Sequence, residues 1–116
     1  MPQISIDFSP ALDEAFDRRA CARALHPVVV ETVGARPAAC KTRTRTAGDF
    51  TVGEGDGRDA VVHVEIALLA GRTDEAKARL SEAAVALVRD HLKPLDGLTV
   101  HVSAEVRDLD ASYRAS

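Results

Sequence analysis

The sequence predicts an α/β domain of the α+β kind: two β-α-β units forming a four-stranded sheet with two helices on one face. Three observations lead there. Short stretches of alternating apolar and polar residues flank longer stretches whose apolar residues recur at helical spacing. Their order is strand, helix, strand, a glycine-rich loop, then strand, helix, strand. The halves also correspond, because Pro2 opens the first strand as Ala60 opens the third, 58 residues later. A strand-helix-strand unit closes as a parallel pair through a right-handed crossover, and two such units put both helices on the same side. The other side is then open in a single chain. Val61 and His63 fall on it and are expected to be covered in part by another subunit.

The first strand is residues 2–8, in which Pro2, Ile4, Ile6 and Phe8 share one parity. Ser9 and Pro10 read as an N-cap and first helical residue. Leu12, Ala15, Phe16, Ala22, Leu25, Val29 and Val33 continue at helical spacing, with Pro27 expected to kink or divide the helix near Leu25 and His26. Gly34 is the expected stop, with Pro37 just beyond. Residues 38–46 read as a threonine-rich strand that presents Lys41, Arg43 and Arg45 on one face. Residues 48–59 form a loop. Its glycines and acids lack the spacing and terminal Glu of an EF-hand, and no GK[ST] follows.

Residues 60–69 are the clearest strand, with Val62, Val64, Ile66 and Leu68 on one face and Val61, His63, Glu65 and Ala67 on the other. Thr73 is the expected N-cap of the second helix, with Asp74 and Glu75 in its first turn. Its apolar stripe reads Ala76, Leu80, Ala83, Leu87 and His91, flanked by Ala84 and Val88, and Glu75 and Arg79 have the spacing of an ion pair. Pro94 and Gly97 are expected to end it, and residues 98–106 form the last strand. The tail from about residue 109 has no firm pattern and is expected to be loose.

Composition narrows the function. A chain of 116 residues suits one domain, residues 1–116, with an aliphatic core: there is no Trp, one Tyr and three Phe. The net charge of −3, with both signs mixed, argues against nucleic-acid binding, which rests on a basic face. Cys21 and Cys40 have no CxxC or metal-like spacing and read as reduced core thiols of a cytoplasmic protein. The residues show no secretory signal and no apolar run long enough for a membrane span. His26, His91 and His101 show no metal-ligand spacing, and His63 reads as structural or interfacial.

Pro2 carries the chemical candidate. A small residue after Met1 favours clipping, which would leave Pro2 with a free secondary amine. Such an amine is a base near neutral pH once desolvation or nearby cations disfavour its charged form. Lys41, Arg43 and Arg72 are the cations placed to do this. An enol-to-ketone proton shift needs one group that takes and returns a proton, and fixed positive charge for carboxylates and for a developing oxyanion.

Met1-Pro2 with its alternating strand, a first helix containing Pro27, Lys41-Thr42-Arg43, Val61-Val62-His63, Ala70-Gly71-Arg72 and the closing strand are similar, in that order, to the 5-carboxymethyl-2-hydroxymuconate Δ-isomerase family of the tautomerase superfamily. The resemblance runs to about residue 108. It implies a tautomerase-like fold and a homotrimer with active sites at subunit boundaries, without metal or organic cofactor. It also implies a proton shift on an unsaturated hydroxy di- or tricarboxylate, a small anionic enol or dienol substrate, in the breakdown of homoprotocatechuate. Pro2 matches the family's catalytic proline and Arg72 an arginine of its substrate site. Lys41 stands where a second family arginine aligns, a departure, because lysine cannot make the planar fork to a carboxylate. Arg43, two residues on, is placed to substitute, and Phe50 matches an aromatic residue lining the site. The tail is shorter than is usual in the family. The same order of elements also describes a ferredoxin-like ligand-binding or oligomeric scaffold without catalysis, which would not depend on a free Pro2.

Overall fold

The computed structural model describes all 116 residues. Its strands are β1 (Gln3–Phe8), β2 (Lys41–Thr46), β3 (Asp59–Leu68) and β4 (Thr99–Asp108), and its helices α1 (Arg18–Val33) and α2 (Asp74–Asp90). They form one mixed sheet in the order β2-β1-β3-β4. β1 and β2 are parallel, as are β3 and β4, and the two β-α-β units meet through the antiparallel pair β1–β3. This is the tautomerase-like arrangement that the sequence predicts. No helix is long and apolar enough to cross a membrane.

Strand parity builds the core. Ile4, Ile6 and Phe8 of β1 and Val62, Val64, Ile66 and Leu68 of β3 are buried beneath Cys21, Leu25 and Val29 of α1 and Leu80, Ala84 and Val88 of α2. Each fully buried aliphatic side chain contributes roughly 1.5–3 kcal/mol relative to exposure. Phe8 meets Phe16 edge-on, with ring centroids 5.6 Å apart, and the Arg18 guanidinium lies 5.1 Å from the Phe8 ring. The opposite face is polar. Its register sets Gln3, Ser5 and Asp7 between Lys41, Arg43 and Arg45 on one side and Ala67, Glu65 and His63 on the other. Val61 and His63 are half-buried there.

Several local expectations are corrected. Ser9 and Pro10 begin only a 3₁₀ turn, Pro10–Leu12. Ala15, Phe16 and Asp17 instead pair with the chain that follows α2: Asp17 N–H donates to the His91 carbonyl (3.0 Å) and Lys93 N–H to the Ala15 carbonyl (2.8 Å). The helix therefore starts at Arg18, capped by the Asp17 carboxylate, which accepts from Ala20 N–H at 3.2 Å. The same pairing ends α2 at Asp90, before Pro94 is reached. Pro27 does not divide α1, which runs through it to Gly34, a left-handed residue with φ of 75°. The lost donor frees one carbonyl, Arg23 O, and the burial of Leu25 and Val29 on either side offsets it.

The second strand is shorter than expected, because Pro37–Ala39 is a 3₁₀ turn. The stripe of α2 centres on Ala76, Leu80, Ala84 and Val88 rather than on Ala83 and Leu87. Thr73 does cap this helix, accepting from Ala76 N–H at 3.1 Å. Glu75 and Arg79 form no ion pair; Lys77 instead bridges Asp74 (3.6 Å) and Asp108 (3.4 Å). Nor is the tail loose at its root. Leu109 N–H donates to the Leu68 carbonyl at 2.6 Å, and the Tyr113 hydroxyl accepts from Gln3 Nε2 at 3.2 Å.

Ser9 is fully buried, and its role lies between strands rather than at a helix cap. Its Oγ accepts from Val61 N–H at 2.8 Å, and its own N–H donates to the Val61 carbonyl at 3.0 Å. Ser9→Ala strands the Val61 N–H, and a loss of about 1–3 kcal/mol is expected from denaturant unfolding. A midpoint equal to that of the parent would show that the hydroxyl contributes nothing.

Candidate active site

β1 is an interior strand, so the chain begins in the middle of the sheet. Pro2 lies one residue before Gln3, on the parity of Ile4, and is buried. Proline is tolerated at the head of a strand, where no ladder donor is lost. Its carbonyl accepts from Lys41 N–H at 3.2 Å, which ties the head of β2 to the amino terminus. Because β1 and β2 are parallel and β3 runs against them, the heads of β1 and β2 share one end of the sheet with the tail of β3. The carboxyl end of α1 and the amino end of α2 arrive at the same end, as each crossover requires.

There they enclose a cavity of about 240 Å³ lined by Met1, Pro2, Gly34, Ala35, Arg36, Ala39, Leu69 and Arg72. None of these is acidic. The loop after β3 turns through Gly71, with φ of 121°, a value open to glycine alone without strain, and Arg72 follows it. Arg72 Nε donates to the Val33 carbonyl at 3.1 Å and Nη1 to the Leu69 carbonyl at 3.0 Å. Val33 closes α1, where the helix dipole favours a cation. The guanidinium is thus oriented by neutral carbonyls and its charge is left uncompensated. Lys41 and Arg36 likewise form no ion pair, and Lys41 Nζ reaches only the Ala39 carbonyl, at 3.5 Å.

The Met1 amine is held below the ordinary α-amino range. Burial is the largest cause, then the charges of Arg72 and Lys41, with a smaller push from Arg36 and an opposing one from Cys40. Burial raises the Cys40 thiol against the pull of the amino terminus and Lys41, which keeps it neutral near physiological pH. Cys40 Sγ donates to the Arg36 carbonyl at 3.6 Å.

The other candidates sit elsewhere in the single chain. Arg43 is one step along β2, where Nη2 donates to Gln3 Oε1 at 2.7 Å on the open face. Phe50 is half exposed in a separate cleft with Thr51, Val52, Gly55, Gly57 and Asp59. That cleft belongs to the loop between the tail of β2 and the head of β3, the end of the sheet opposite Pro2. Arg36 was not singled out from sequence. Its signal was its place between Gly34, which stops a helix, and Pro37, which fixes the preceding residue as extended. On the open face, His63, Glu65 and Glu105 bring ligand-type atoms within 4.8 Å of one another. Glu65 is paired with Arg107 at 2.9 Å and His63 Nδ1 with Ser103 Oγ at 2.7 Å, so two of the three are already engaged.

An amino terminus set among unpaired cations at the head of a doubled β-α-β sheet marks a protein of the tautomerase type. The chain belongs to the 5-carboxymethyl-2-hydroxymuconate isomerase family, whose sequence profile matches residues 2–116. Among solved structures, it is similar to a 5-carboxymethyl-2-hydroxymuconate delta-isomerase at a TM-score of 0.82 and 19% identity, covering 100% of this chain and 87% of that one. The 5-carboxymethyl-2-hydroxymuconate isomerase from Deinococcus radiodurans R1 gives a TM-score of 0.78 at 19% identity, over 99% and 89% of the two chains. A fused 4-OT symmetric trimer gives 0.72 at 27% identity, over 98% and 90%. No curated protein sequence matches the chain.

Removal of a neighbouring cation should relax the amine. In Arg72→Gln the ammonium form loses a repelling charge, so the amino-terminal pKa is expected to rise from its lowered value. NMR titration of the terminal amine reads this directly. An unchanged or lower value would mean that Arg72 does not act on the amine.

Proposed function

We propose that the protein is a cofactor-independent isomerase that moves a proton in an unsaturated 2-hydroxy di- or tricarboxylate, with the amine of Pro2 as general base after removal of Met1. One observation carries this reading: the amino terminus borders a cavity that holds Arg72 and Arg36, lies within the field of Lys41, and contains no acid. Membership of an isomerase family supports the reaction class.

Pro2 takes a proton from the enol hydroxyl or an acidic carbon and returns it to another carbon of the conjugated system. The substrate is oxidised and reduced nowhere, so no external electron carrier is needed. A base must be unprotonated to begin; Arg72 and Lys41, which with burial hold the Met1 amine down, favour the same state for a Pro2 amine beside them. Arg72 holds a carboxylate beside the amine, and Lys41 adds charge where the dienolate oxygen develops. Lys41 binds as a point charge, without a planar fork. Arg43 contributes from the open face as a further positive charge. The substrate class is that of 5-carboxymethyl-2-hydroxymuconate, in the catabolism of aromatic compounds.

The assembly is a homotrimer in this reading. Phe50 lies at the far end of the sheet from Pro2, so it can line the site only when a neighbouring copy presents it. The fused 4-OT relative is itself a symmetric trimer.

Ketonisation of a simple 2-hydroxydienoate, followed by absorbance, tests the proposal. Protein with its natural amino terminus should turn over, and one extra residue ahead of Pro2 should lower kcat/KM by about 10²–10⁴-fold. Pro2→Ala keeps an amine and should lose less. With a lowered amine pKa, activity should fall as pH drops through that pKa, because the base becomes protonated. The active particle should have the mass of three chains. Full turnover by the extended form would overturn Pro2 as base, and a fully active monomer would remove Phe50 from the site.

A further inference from the structure

The cavity at the amino terminus contains one arginine whose fork is wholly uncommitted. Arg72 has spent Nε–H and an Nη1 N–H on the Val33 and Leu69 carbonyls, so each of its two edges is already partly used and only Nη2 is left without a partner. Lys41 has no fork. Arg36 makes no side-chain hydrogen bond and no ion pair, although it lines the cavity beside Pro2 and Arg72. Its backbone, by contrast, is closely held. Pro37 follows it, its own φ and ψ are −88° and 140°, and its carbonyl accepts from both Ala39 N–H (3.0 Å) and Cys40 Sγ (3.6 Å). A fixed Cα with a free guanidinium is a poor stabiliser of the fold and a good anion acceptor, because little backbone order is lost on binding. Arginine is the residue suited to bidentate carboxylate recognition.

We propose that Arg36 is a specificity-determining residue of this site, taking a second, distal carboxylate of the substrate so that the cavity selects dicarboxylates over monocarboxylates of the same carbon skeleton. This rests on the reading of the cavity as the active site. One carboxylate lies against the free Nη2 of Arg72, next to the amine. The other reaches the mouth of the cavity, where Arg36 is exposed and pairs with it as a fork. Arg36 lines the same cavity as Pro2 and adds positive charge at the Met1 amine. Its exposure limits the strength of the pair, so the effect is one of selection rather than of tight binding.

trans,trans-Muconate and sorbate make a matched pair of probes: both are six-carbon dienes, they differ by one carboxylate, and neither carries the enol needed for turnover. Calorimetric titration of the full-length protein with its natural amino terminus should show muconate binding more tightly than sorbate. Arg36→Gln should weaken muconate by about 10-fold and sorbate by less than about 2-fold. Arg36→Lys, which keeps the charge but not the fork, should fall between the parent and Arg36→Gln for muconate. Because Arg36 is exposed and unpaired, all three proteins should unfold at the same midpoint. Equal losses for both ligands, or no loss for muconate, would overturn the role of Arg36, as would a parent protein that binds neither. Binding is read without catalysis, so Arg36-dependent selection in a protein that fails to turn over a 2-hydroxydienoate would support this inference while removing the proposed reaction.

Discussion

Everything about the candidate site depends on the first strand being an interior strand. β1 is hydrogen-bonded on both edges, to β2 in parallel and to β3 antiparallel, so the amino terminus starts inside the sheet rather than fraying from its border. Chain termini are usually mobile unless tied into structure. Here the bond from Lys41 N–H to the Pro2 carbonyl and the burial of Ile4 and Ile6 hold the terminus in place. A base only one residue into the chain can then be as well positioned as a side chain.

That position also sets the electrostatics. The first crossover returns to the end of the sheet where β1 and β2 begin and the second departs from it, so the end of α1, the loop after β3 and the amino terminus converge. The residues they bring are Arg36, Lys41 and Arg72, with no carboxylate among those lining the cavity. An unfilled cationic site is costly for folding, since like charges repel and gain no ion pair in return. Natural proteins accept such local conflicts at functional sites. The carbonyls of Val33 and Leu69 orient Arg72 without neutralising it, which preserves its charge for an incoming anion.

The fold was legible in the sequence where periodicity was strong. Val62, Val64, Ile66 and Leu68 are buried as the period-two pattern of β3 requires, and Thr73 and Gly34 cap their helices. It was illegible where long-range pairing overrides local propensity. Nothing near Ser9 shows that Ala15 to Asp17 will pair with His91, Leu92 and Lys93 and delay α1 to Arg18. Pro27 reads as a breaker because its cost is local, whereas the burial of Leu25 and Val29 that offsets it is gained only when the helix packs on the sheet. For the site, Pro2 and Arg72 were legible as candidates because one opens the chain and the other follows a glycine turn. Their shared cavity with Arg36 was not, since residues 2, 36 and 72 meet only through the first crossover and the antiparallel pairing of β1 with β3. Phe50 marks the opposite limit: a residue aligned with a site on sequence stands at the other end of the sheet in a single chain.

The proposed chemistry needs two things at once: an unprotonated secondary amine at Pro2, and cations around it that attract carboxylates. A small 2-oxo acid such as pyruvate brings both requirements together, because its carboxylate seeks the cations and its carbonyl condenses with an unprotonated amine. Cyanoborohydride then fixes the iminium. At about pH 6.5 ordinary lysines are protonated and unreactive, so the site of the adduct identifies the low-pKa amine by peptide mapping. One adduct on Pro2, in a chain lacking Met1, is the expected result. An adduct on Lys41, or a chain that retains Met1 and leaves Pro2 unmodified, would contradict it.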